Sequence, residues 1–224
     1  MTAVRATPPV TAPVEDYLKV IFELESAAGI AGTNEIAAEL GFAPASVSGM
    51  VRRLAEQGLI THERYRGVRL TKAGRRAALR TIRRHRVIEA YLTRALGYPW
   101  DRVHDEAERL EHAASDELID RMASAIGEPT TDPHGAPIPT REGTLEEPPL
   151  RALDQIGVGE RVSVQRVGDR DPMQLRYLAE LGITPGRQVE VVSRAPFDGP
   201  IGLRVGRTTH AIGPALARQI LVSR

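Results

Sequence analysis

The sequence predicts a mainly α-helical protein with small β elements, and three observations support that prediction. Two short helical patterns meet at a glycine turn and are followed at once by a two-stranded hairpin pattern, a combination typical of a winged helix-turn-helix. A long basic helical pattern and two shorter ones come next. After a proline-rich stretch, short β patterns alternate with glycine turns and indicate a small β-barrel-like domain.

The composition narrows the classes of protein to which the chain can belong. Of its 224 residues, 42% are hydrophobic and 26% are charged, as in ordinary globular proteins. The absence of cysteine excludes disulfides and thiolate metal sites. No run of about 18 apolar residues is present, and the N-terminus lacks the apolar stretch of a signal peptide. We therefore expect a cytoplasmic protein with no membrane partner.

Charge is distributed unevenly along the chain. Residues 52–94 hold 13 Lys or Arg and three acids, whereas residues 95–120 hold eight acids and two arginines. A basic segment followed by an acidic segment indicates two surfaces with different partners.

The first part of the chain carries the signals of a DNA-reading motif. Helices are expected over 14–28, 35–40 and 46–57, and strands over 59–64 and 68–71 form the wing. Small and hydroxyl side chains at the start of the third helix suit approach to a DNA groove, and arginines follow on its outer side. The candidate DNA-contacting residues are Thr33, Pro44, Ala45, Ser46, Ser48, Arg52, Arg53, Tyr65 and Arg66. The alternative is a helical scaffold with a solvated charged face.

The rest of the chain is predicted to change from helices to strands. A long basic helix is expected over 72–96, with two further helices over 101–113 and 115–126. Residues 127–149 contain six prolines and are predicted to form a linker. Beyond the linker, strands are expected at 162–167, 188–192, 201–205 and 220–222, with one short helix near 173–181.

Metal-ligating residue types are concentrated on one predicted helix. At about 100° per residue, His104, Glu108, Glu111 and His112 fall within roughly a 100° arc of its surface, next to an apolar stripe. Burying two carboxylates and two imidazoles beside an apolar stripe costs free energy unless a cation is bound between them. His85 and Glu89 form an i, i+4 pair on the preceding helix, for which a surface ion pair is the alternative.

No enzymatic motif accompanies these residues. The paired Glu-x-x-His motifs of di-iron bundles are not met, and there is no His-Glu-x-x-His, P-loop, dinucleotide glycine motif or nucleophile motif. We therefore expect a protein that is not an enzyme. A metalloenzyme using Glu108, Glu111 and His112 is the alternative from another class, and a winged-helix sensor of a small organic ligand is a third.

Motifs along nearly the whole chain resemble one known family. The segment Asp16-Tyr17-Leu18 resembles the family's opening helix. The family's reading helix resembles Ser46-Val47-Ser48, and its wing resembles Tyr65-Arg66-Gly67-Val68-Arg69-Leu70-Thr71. Its metal-binding helices are resembled by His85-Arg86, Val103-His104-Asp105-Glu106-Ala107 and Glu111-His112-Ala113-Ala114. Its linker and C-terminal domain are resembled by His134-Gly135-Ala136-Pro137-Ile138-Pro139 and Leu181-Gly182-Ile183-Thr184-Pro185-Gly186. From about residue 14 to the end, the chain resembles the diphtheria toxin repressor family, which includes iron-dependent repressors and manganese transport regulators.

The resemblance implies a domain organisation and partners. It implies a winged helix-turn-helix DNA-binding domain over 1–73, a helical metal-binding and dimerisation domain over 74–128, a proline-rich linker over 129–149 and an SH3-like, FeoA-like β-barrel over 150–224. It further implies a repressor of metal-homeostasis genes that binds a palindromic double-stranded DNA operator as a homodimer when divalent metal is bound. No small organic ligand is expected.

The resemblance also implies two metal sites. The primary site would use Asp16, Glu108, Glu111 and His112, with the main-chain oxygen of Glu108 as a further donor. The second site would use His85, Glu89 and His104 together with Asp171 and Gln174 of the C-terminal domain.

The expected ion is Mn²⁺. Iron-dependent members of the family place methionine where Asp16 stands and cysteine where Glu108 stands, whereas this chain offers hard carboxylates at both positions. Fe²⁺ is the alternative, and Co²⁺ or other divalent ions would act as surrogates. Lys19 stands where short manganese regulators carry another acid, so a closely spaced two-metal cluster is not expected.

Overall fold

The computed structural model describes residues 11–63 and 66–224. Packing divides the chain into two compact units, one of residues 1–83 with 139–144 and one of residues 84–138 with 145–224. The division falls inside a long helix and inside the proline-rich segment. The four segments expected from the sequence have other boundaries and stay a prediction.

The first unit contains the helix-turn-helix. Its helices are α1 (Ala12–Ala28), α2 (Thr33–Leu40) and α3 (Pro44–Glu56). Helix α1 ends at Gly29 and α2 ends at Gly41, both with positive φ, a conformation that glycine adopts without steric cost. Apolar side chains from all three helices form the core of this unit, among them Leu18, Ile21, Ile36, Val47 and Leu54.

Strands β1 (Ile60–Glu63) and β2 (Gly67–Leu70) form the predicted wing. They pair antiparallel, with Ile60 opposite Leu70. Ala31, from the loop before α2, exchanges two backbone hydrogen bonds with Val68. This isolated antiparallel bridge joins the loop to β2. Gly67 has a φ of 127°, and a Cβ atom there would lie 2.7 Å from the carbonyl oxygen of Ala31, so only glycine permits this approach.

Helix α4 (Lys72–Leu96) has the bounds that the sequence predicts. In the second unit, α5 (Val103–Leu110) and α6 (Asp116–Ala125) follow it. Ser115 begins α6 by accepting a hydrogen bond from the backbone of Leu118. The core between these helices is formed by a single apolar cluster that includes Val87, Ile88, Val103, Ala107 and Ile119.

The second unit also contains a six-stranded antiparallel sheet. Its members are β3 (Arg151–Ala152), β4 (Arg161–Val167), β5 (Gln188–Arg194), β6 (Ile201–Val205), β7 (Thr208–Ile212) and β8 (Ile220–Ser223), in the order β3-β8-β4-β5-β6-β7. Helices α7 (Pro172–Glu180) and α8 (Pro214–Ala217) lie in its connections. The core of the sheet includes Val164, Leu175, Val191 and Leu203.

Two of these strands were not predicted from the sequence. Strand β7 is mostly polar and exposed, and it pairs only with β6 because it stands at the edge of the sheet. Strand β3 has only two residues. Neither strand shows the apolar alternation from which strands are predicted.

Among the described residues, no helix has the length and apolar character that crossing a membrane requires.

Candidate metal centre and DNA-binding face

The start of α3 presents the side chains that the sequence predicts for groove contact. Pro44, Ala45, Ser46 and Ser48 are all exposed. The opposite side of α3 packs into the core through Val47, Val51 and Leu54. This arrangement leaves the first turn of α3 open to an external partner, with small side chains that permit close approach.

Positive charge lies beside this turn. Arg52 and Arg53 are exposed on α3, and the side chain of Arg66 in the wing is 78% exposed, with Glu63 as an ion-pair partner at 3.4 Å. Thr33 is the first residue of α2 and is half-buried. Tyr65, also predicted to contact DNA, lies outside the described residues. All nine DNA contacts stay predictions.

The candidate metal centre is built around His85, whose two ring nitrogens both face polar partners. Its Nδ1 lies 2.5 Å from Oε2 of Glu111, at the C-terminus of α5. Its Nε2 lies 3.1 Å from Oε1 of Glu89, one turn further along α4, and 3.2 Å from Nδ1 of His104. Glu89 and Glu111 are fully buried. The i, i+4 pair on α4 is therefore part of a buried cluster rather than a surface ion pair.

Further ligand types complete the helical part of this cluster. Glu108 places a carboxylate oxygen 3.8 Å from Nδ1 of His85 and 4.0 Å from Nε2 of His104. His85, His104 and Glu108 can each offer one ligand atom, and these atoms all lie within 4.8 Å of one another. His112, in the turn after α5, lies 3.5 Å from Glu111. The second unit thus brings together all six of the predicted helical ligands.

A further group of ligand types was not predicted as a metal site. Glu89, His134 and Asp169 also offer ligand atoms within 4.8 Å of one another. His134 lies in the proline-rich segment, and Asp169 lies in the loop between β4 and α7. Helix and strand periodicity cannot indicate which loop residues bind a ligand. The available signals in the sequence were a histidine, His134, among prolines and a glycine, and an acid, Asp169, shortly before a predicted helix.

The atoms of this group indicate a cation. Oε2 of Glu89 and Nδ1 of His134 are buried, lie 3.8 Å apart and have no hydrogen-bond partner among the described residues. Oδ2 of Asp132 is likewise buried without a hydrogen bond, and Nε of its ion-pair partner Arg86 lies 3.7 Å away. Buried polar atoms without partners are uncommon in proteins, and an ion bound between such atoms satisfies them. The residues present therefore fit a divalent ion.

The pKa values of these groups reflect burial and close contact. Burial opposes the charge of Glu89, but contacts with His104, His134 and His85 hold its pKa well below the ordinary value. Burial also opposes the charge of His134, but Glu89 and Asp132 raise its pKa to about 9. Burial and the nearby charge of Glu89 raise the pKa of Asp132 to about 6. Glu89 is thus held as a carboxylate, the form that binds metals, whereas His134 has to release a proton when it binds one.

The three remaining predicted ligands do not belong to α4, α5 or the turn after α5. Asp16 belongs to the first unit, where it is half-buried on α1. The carboxylate of Asp171 caps α7 by accepting hydrogen bonds from the backbone of Met173 and Gln174. It is Asp169, two residues earlier, that is grouped with Glu89 and His134. The roles of Asp16, Asp171 and Gln174 in binding metal stay predictions.

Together, the fold and the site define a class of protein: a winged-helix DNA-binding protein with a buried centre for a divalent metal. Three family models match the chain in order. They are the iron dependent repressor N-terminal DNA binding domain over residues 10–68, the iron dependent repressor metal binding and dimerisation domain over 71–140, and the FeoA domain over 151–224. The chain belongs to the diphtheria toxin repressor family of metal-dependent transcriptional repressors.

Individual relatives agree with this assignment. The chain is 34% identical over 205 residues to the diphtheria toxin repressor of Corynebacterium jeikeium (strain K411), covering 88% of this chain and 84% of the relative. It is 37% identical over 191 residues to the iron-dependent repressor IdeR of Mycobacterium tuberculosis (strain ATCC 25618 / H37Rv), covering 79% and 82%. A solved manganese-dependent transcriptional repressor in complex with manganese superposes with a TM-score of 0.88 at 41% identity, covering 93% and 98%. These relatives are DNA-binding repressors and not enzymes.

Proposed function

We propose that this chain is a manganese-dependent repressor that binds a palindromic operator as a homodimer and controls genes of metal homeostasis. The observation that carries the proposal is the chemistry of the buried centre. Its donors are carboxylates and imidazoles, including Glu108 where iron-dependent members of the family carry cysteine. Oxygen and nitrogen donors suit Mn²⁺, whereas thiolate and thioether donors select softer ions.

The proposed ligands fall into two sets. The primary set is Asp16, Glu108, Glu111 and His112, as the family resemblance implies. The second set keeps the predicted His85, Glu89 and His104. For its remaining donors, we favour His134 and Asp169 over Asp171 and Gln174, because Glu89 and His134 each have a buried atom without a hydrogen bond while Asp171 is used as a helix cap.

The proposed role of the metal is to favour the DNA-binding state. A primary site that takes Asp16 from α1 and its other ligands from residues 108–112 would hold the reading domain in one orientation. In a dimer, the two α3 helices would then keep the spacing of successive major grooves, about 34 Å. Coupling of about 1–3 kcal/mol per site is usual for such linkage and corresponds to roughly 5- to 150-fold tighter binding.

The test is a DNA-binding titration under anaerobic conditions at fixed salt, because phosphate contacts make affinity strongly salt-dependent. Genomic fragments upstream of metal-transport genes are titrated with the protein at rising Mn²⁺ and, separately, rising Fe²⁺. We expect Mn²⁺ to switch binding on at concentrations at which Fe²⁺ does not. This result would show selectivity by the site, because most protein sites bind Fe²⁺ more tightly than Mn²⁺.

The second candidate is an iron-dependent repressor, which the identity to IdeR favours. Activation by Fe²⁺ at equal or lower concentrations would establish it and would show that the carboxylates do not set selectivity. DNA binding that ignores both metals would contradict both candidates.

A further inference from the structure

A concave pocket of about 520 Å³ opens on the sheet of the second unit, and none of its lining residues belongs to the candidate metal centre. We call it the arginine pocket. Strands β4, β5 and β6 and the turns at their ends contribute its walls. The residues that matter for its chemistry are Arg161, Gly186, Arg187, Glu190, Arg204 and Gly206.

Two of the three arginines are held in place by one carboxylate. Glu190 on β5 stands opposite Arg161 on β4 and Arg204 on β6. Its Oε2 accepts a hydrogen bond from Nε of Arg161 at 2.9 Å, and its Oε1 accepts one from Nη1 of Arg204 at 3.2 Å. A guanidinium carries five N–H donors, and each of these two hydrogen bonds uses one nitrogen. Both arginines therefore keep donors that a ligand could use.

The donors of these two arginines face the solvent side of the pocket. The side chain of Glu190 is 19% exposed, whereas those of Arg161 and Arg204 are 77% and 47% exposed. The carboxylate is therefore the more buried member of this group, and each of the two more exposed guanidinium groups is oriented by one hydrogen bond to it. A pair of arginines oriented in this way loses less side-chain freedom on binding a ligand than two independent arginines would.

The third arginine adds positive charge without a partner carboxylate. Arg187 directly precedes β5, is exposed and forms no ion pair with any described residue. Its Nη2 lies 3.9 Å from the position that a Cβ atom of Gly206 would occupy. Gly186 and Gly206, which both have positive φ, line the pocket beside Arg187 without side chains of their own. Three guanidinium groups against one carboxylate leave two positive charges in the concavity.

We propose that the arginine pocket binds a phosphate group. Planar guanidinium donors match the oxygens of phosphate in a bidentate manner, and one phosphate dianion or two monoanionic phosphodiester groups would balance the two excess charges. The composition of the domain agrees with this: residues 151–224 contain eleven arginines, seven acids and no lysine. The group has two sources, a small phosphate compound or the backbone of nucleic acid. The proposal does not depend on which metal the protein uses.

The test measures binding of inorganic phosphate to the full-length, metal-free protein by calorimetry, at constant ionic strength in chloride. Metal is left out because divalent ions bind phosphate themselves. We expect saturable binding of one phosphate per chain. Arg187→Gln and Arg204→Gln should each weaken it about tenfold or more. Arg218→Gln removes the same charge from the same domain outside the pocket and should leave it unchanged.

Arg187→Gln keeps the test valid even if loss of the Glu190 contact unfolds the Arg204 variant, because Arg187 takes part in no described ion pair. A competition with duplex DNA that lacks any operator then separates the two sources. Displacement of phosphate by the duplex, with weaker duplex binding in Arg187→Gln, assigns the pocket to nucleic acid. Phosphate binding without competition assigns it to a small phosphate compound. Absence of saturable binding, or an equal loss in Arg218→Gln, would overturn the proposal.

Discussion

At the residue scale, the metal centre depends on buried acids that local pattern alone does not distinguish from surface acids. Glu89 is fully buried and lies near three imidazoles, those of His85, His104 and His134. A carboxylate so placed stays charged because three imidazoles offset the cost of its burial. Glu89 therefore belongs to both groups of candidate ligands. It contacts His85 and His104 of the helices, and it also lies with His134 and Asp169 of the loops.

This position of Glu89 leads to a prediction. Replacing Glu89 with Gln removes a charged donor while keeping size, so Mn²⁺ affinity should fall at least 10- to 100-fold, roughly the loss typical of supporting groups of metal sites. Isothermal titration with Mn²⁺ measures the change. Glu106→Gln, which alters an acid paired with Arg109 outside the cluster, is the matched control. Unchanged affinity and stoichiometry in Glu89→Gln would exclude Glu89 as a ligand.

A second prediction concerns the loop that holds His134. Gly135 has a φ of 89°, and a Cβ atom there would lie 1.8 Å from the carbonyl oxygen of Gln165 on β4. Gly143 also has a positive φ, but its nearest neighbour would be a side-chain atom of Arg76 at 3.6 Å. Gly143→Ala should therefore cost only the backbone strain of about 1–3 kcal/mol. Gly135→Ala should cost a further ~1–3 kcal/mol or more, because the loop must move.

Thermal and denaturant unfolding of the two variants measure this difference. Gly135→Ala should also weaken Mn²⁺ binding at the second site, since His134 moves with the loop. Equal destabilisation of both variants would show that the approach of this loop to β4 is not maintained in solution.

At the element scale, the wing is held by a side chain as well as by strands. Glu25, in the last turns of α1, accepts a hydrogen bond from the backbone N–H of Leu70 at 3.1 Å. Val68, two residues earlier on β2, donates its N–H to Ala31 on the same side of the strand. The carboxylate of Glu25 thus continues the line of acceptors that the Ala31 segment begins, and it fixes β2 against α1.

A third prediction follows for the wing. Glu25→Leu leaves the half-buried N–H of Leu70 without its acceptor, which costs roughly 1–3 kcal/mol, and freeing the wing should weaken operator binding several-fold. Glu25→Gln keeps an accepting oxygen and should retain most of the affinity. Fluorescence anisotropy with metal-loaded protein at fixed salt measures both. If the Leu variant binds as tightly as the Gln variant, the contact does not position the wing.

Most elements were predictable because their signals are local. The periodicity of α4, the glycines that end α1 and α2, and the Pro44 start of α3 all act within a few residues. Strand β7 was missed because an edge strand of polar residues is defined by its pairing with β6, and not by a pattern of its own.

At the scale of the whole molecule, the proposed regulation requires the metal to link the reading domain to the helical metal-binding region. Asp16 is the proposed ligand that makes this link. Asp16→Ala should remove the roughly 5- to 150-fold stimulation of operator binding by Mn²⁺. The homodimer should persist, because Asp16 lies outside the matched metal binding and dimerisation domain, residues 71–140.

The measurement combines operator binding with and without Mn²⁺ and sedimentation of the same samples. Glu15→Ala, which changes the adjacent acid of α1, is the control and should respond to Mn²⁺ normally. A normal metal response in Asp16→Ala would refute the linking role of Asp16. Loss of the dimer in that variant would show that the metal acts through assembly instead.

The sequence by itself determined the order of the main helices and strands, the position of the third helix and the grouping of six metal-ligating residue types on two helix faces. It could do so because helix periodicity places residues such as His85 and Glu89, or His104 and Glu108, on one face without reference to the rest of the chain. Only the tertiary structure decided that His134 and Asp169 lie with Glu89. Both occupy loops, whose positions are set by long-range contacts such as the hydrogen bond from the N–H of Val167 to the carbonyl of His134. No local pattern encodes such contacts, because they depend on how distant segments pack.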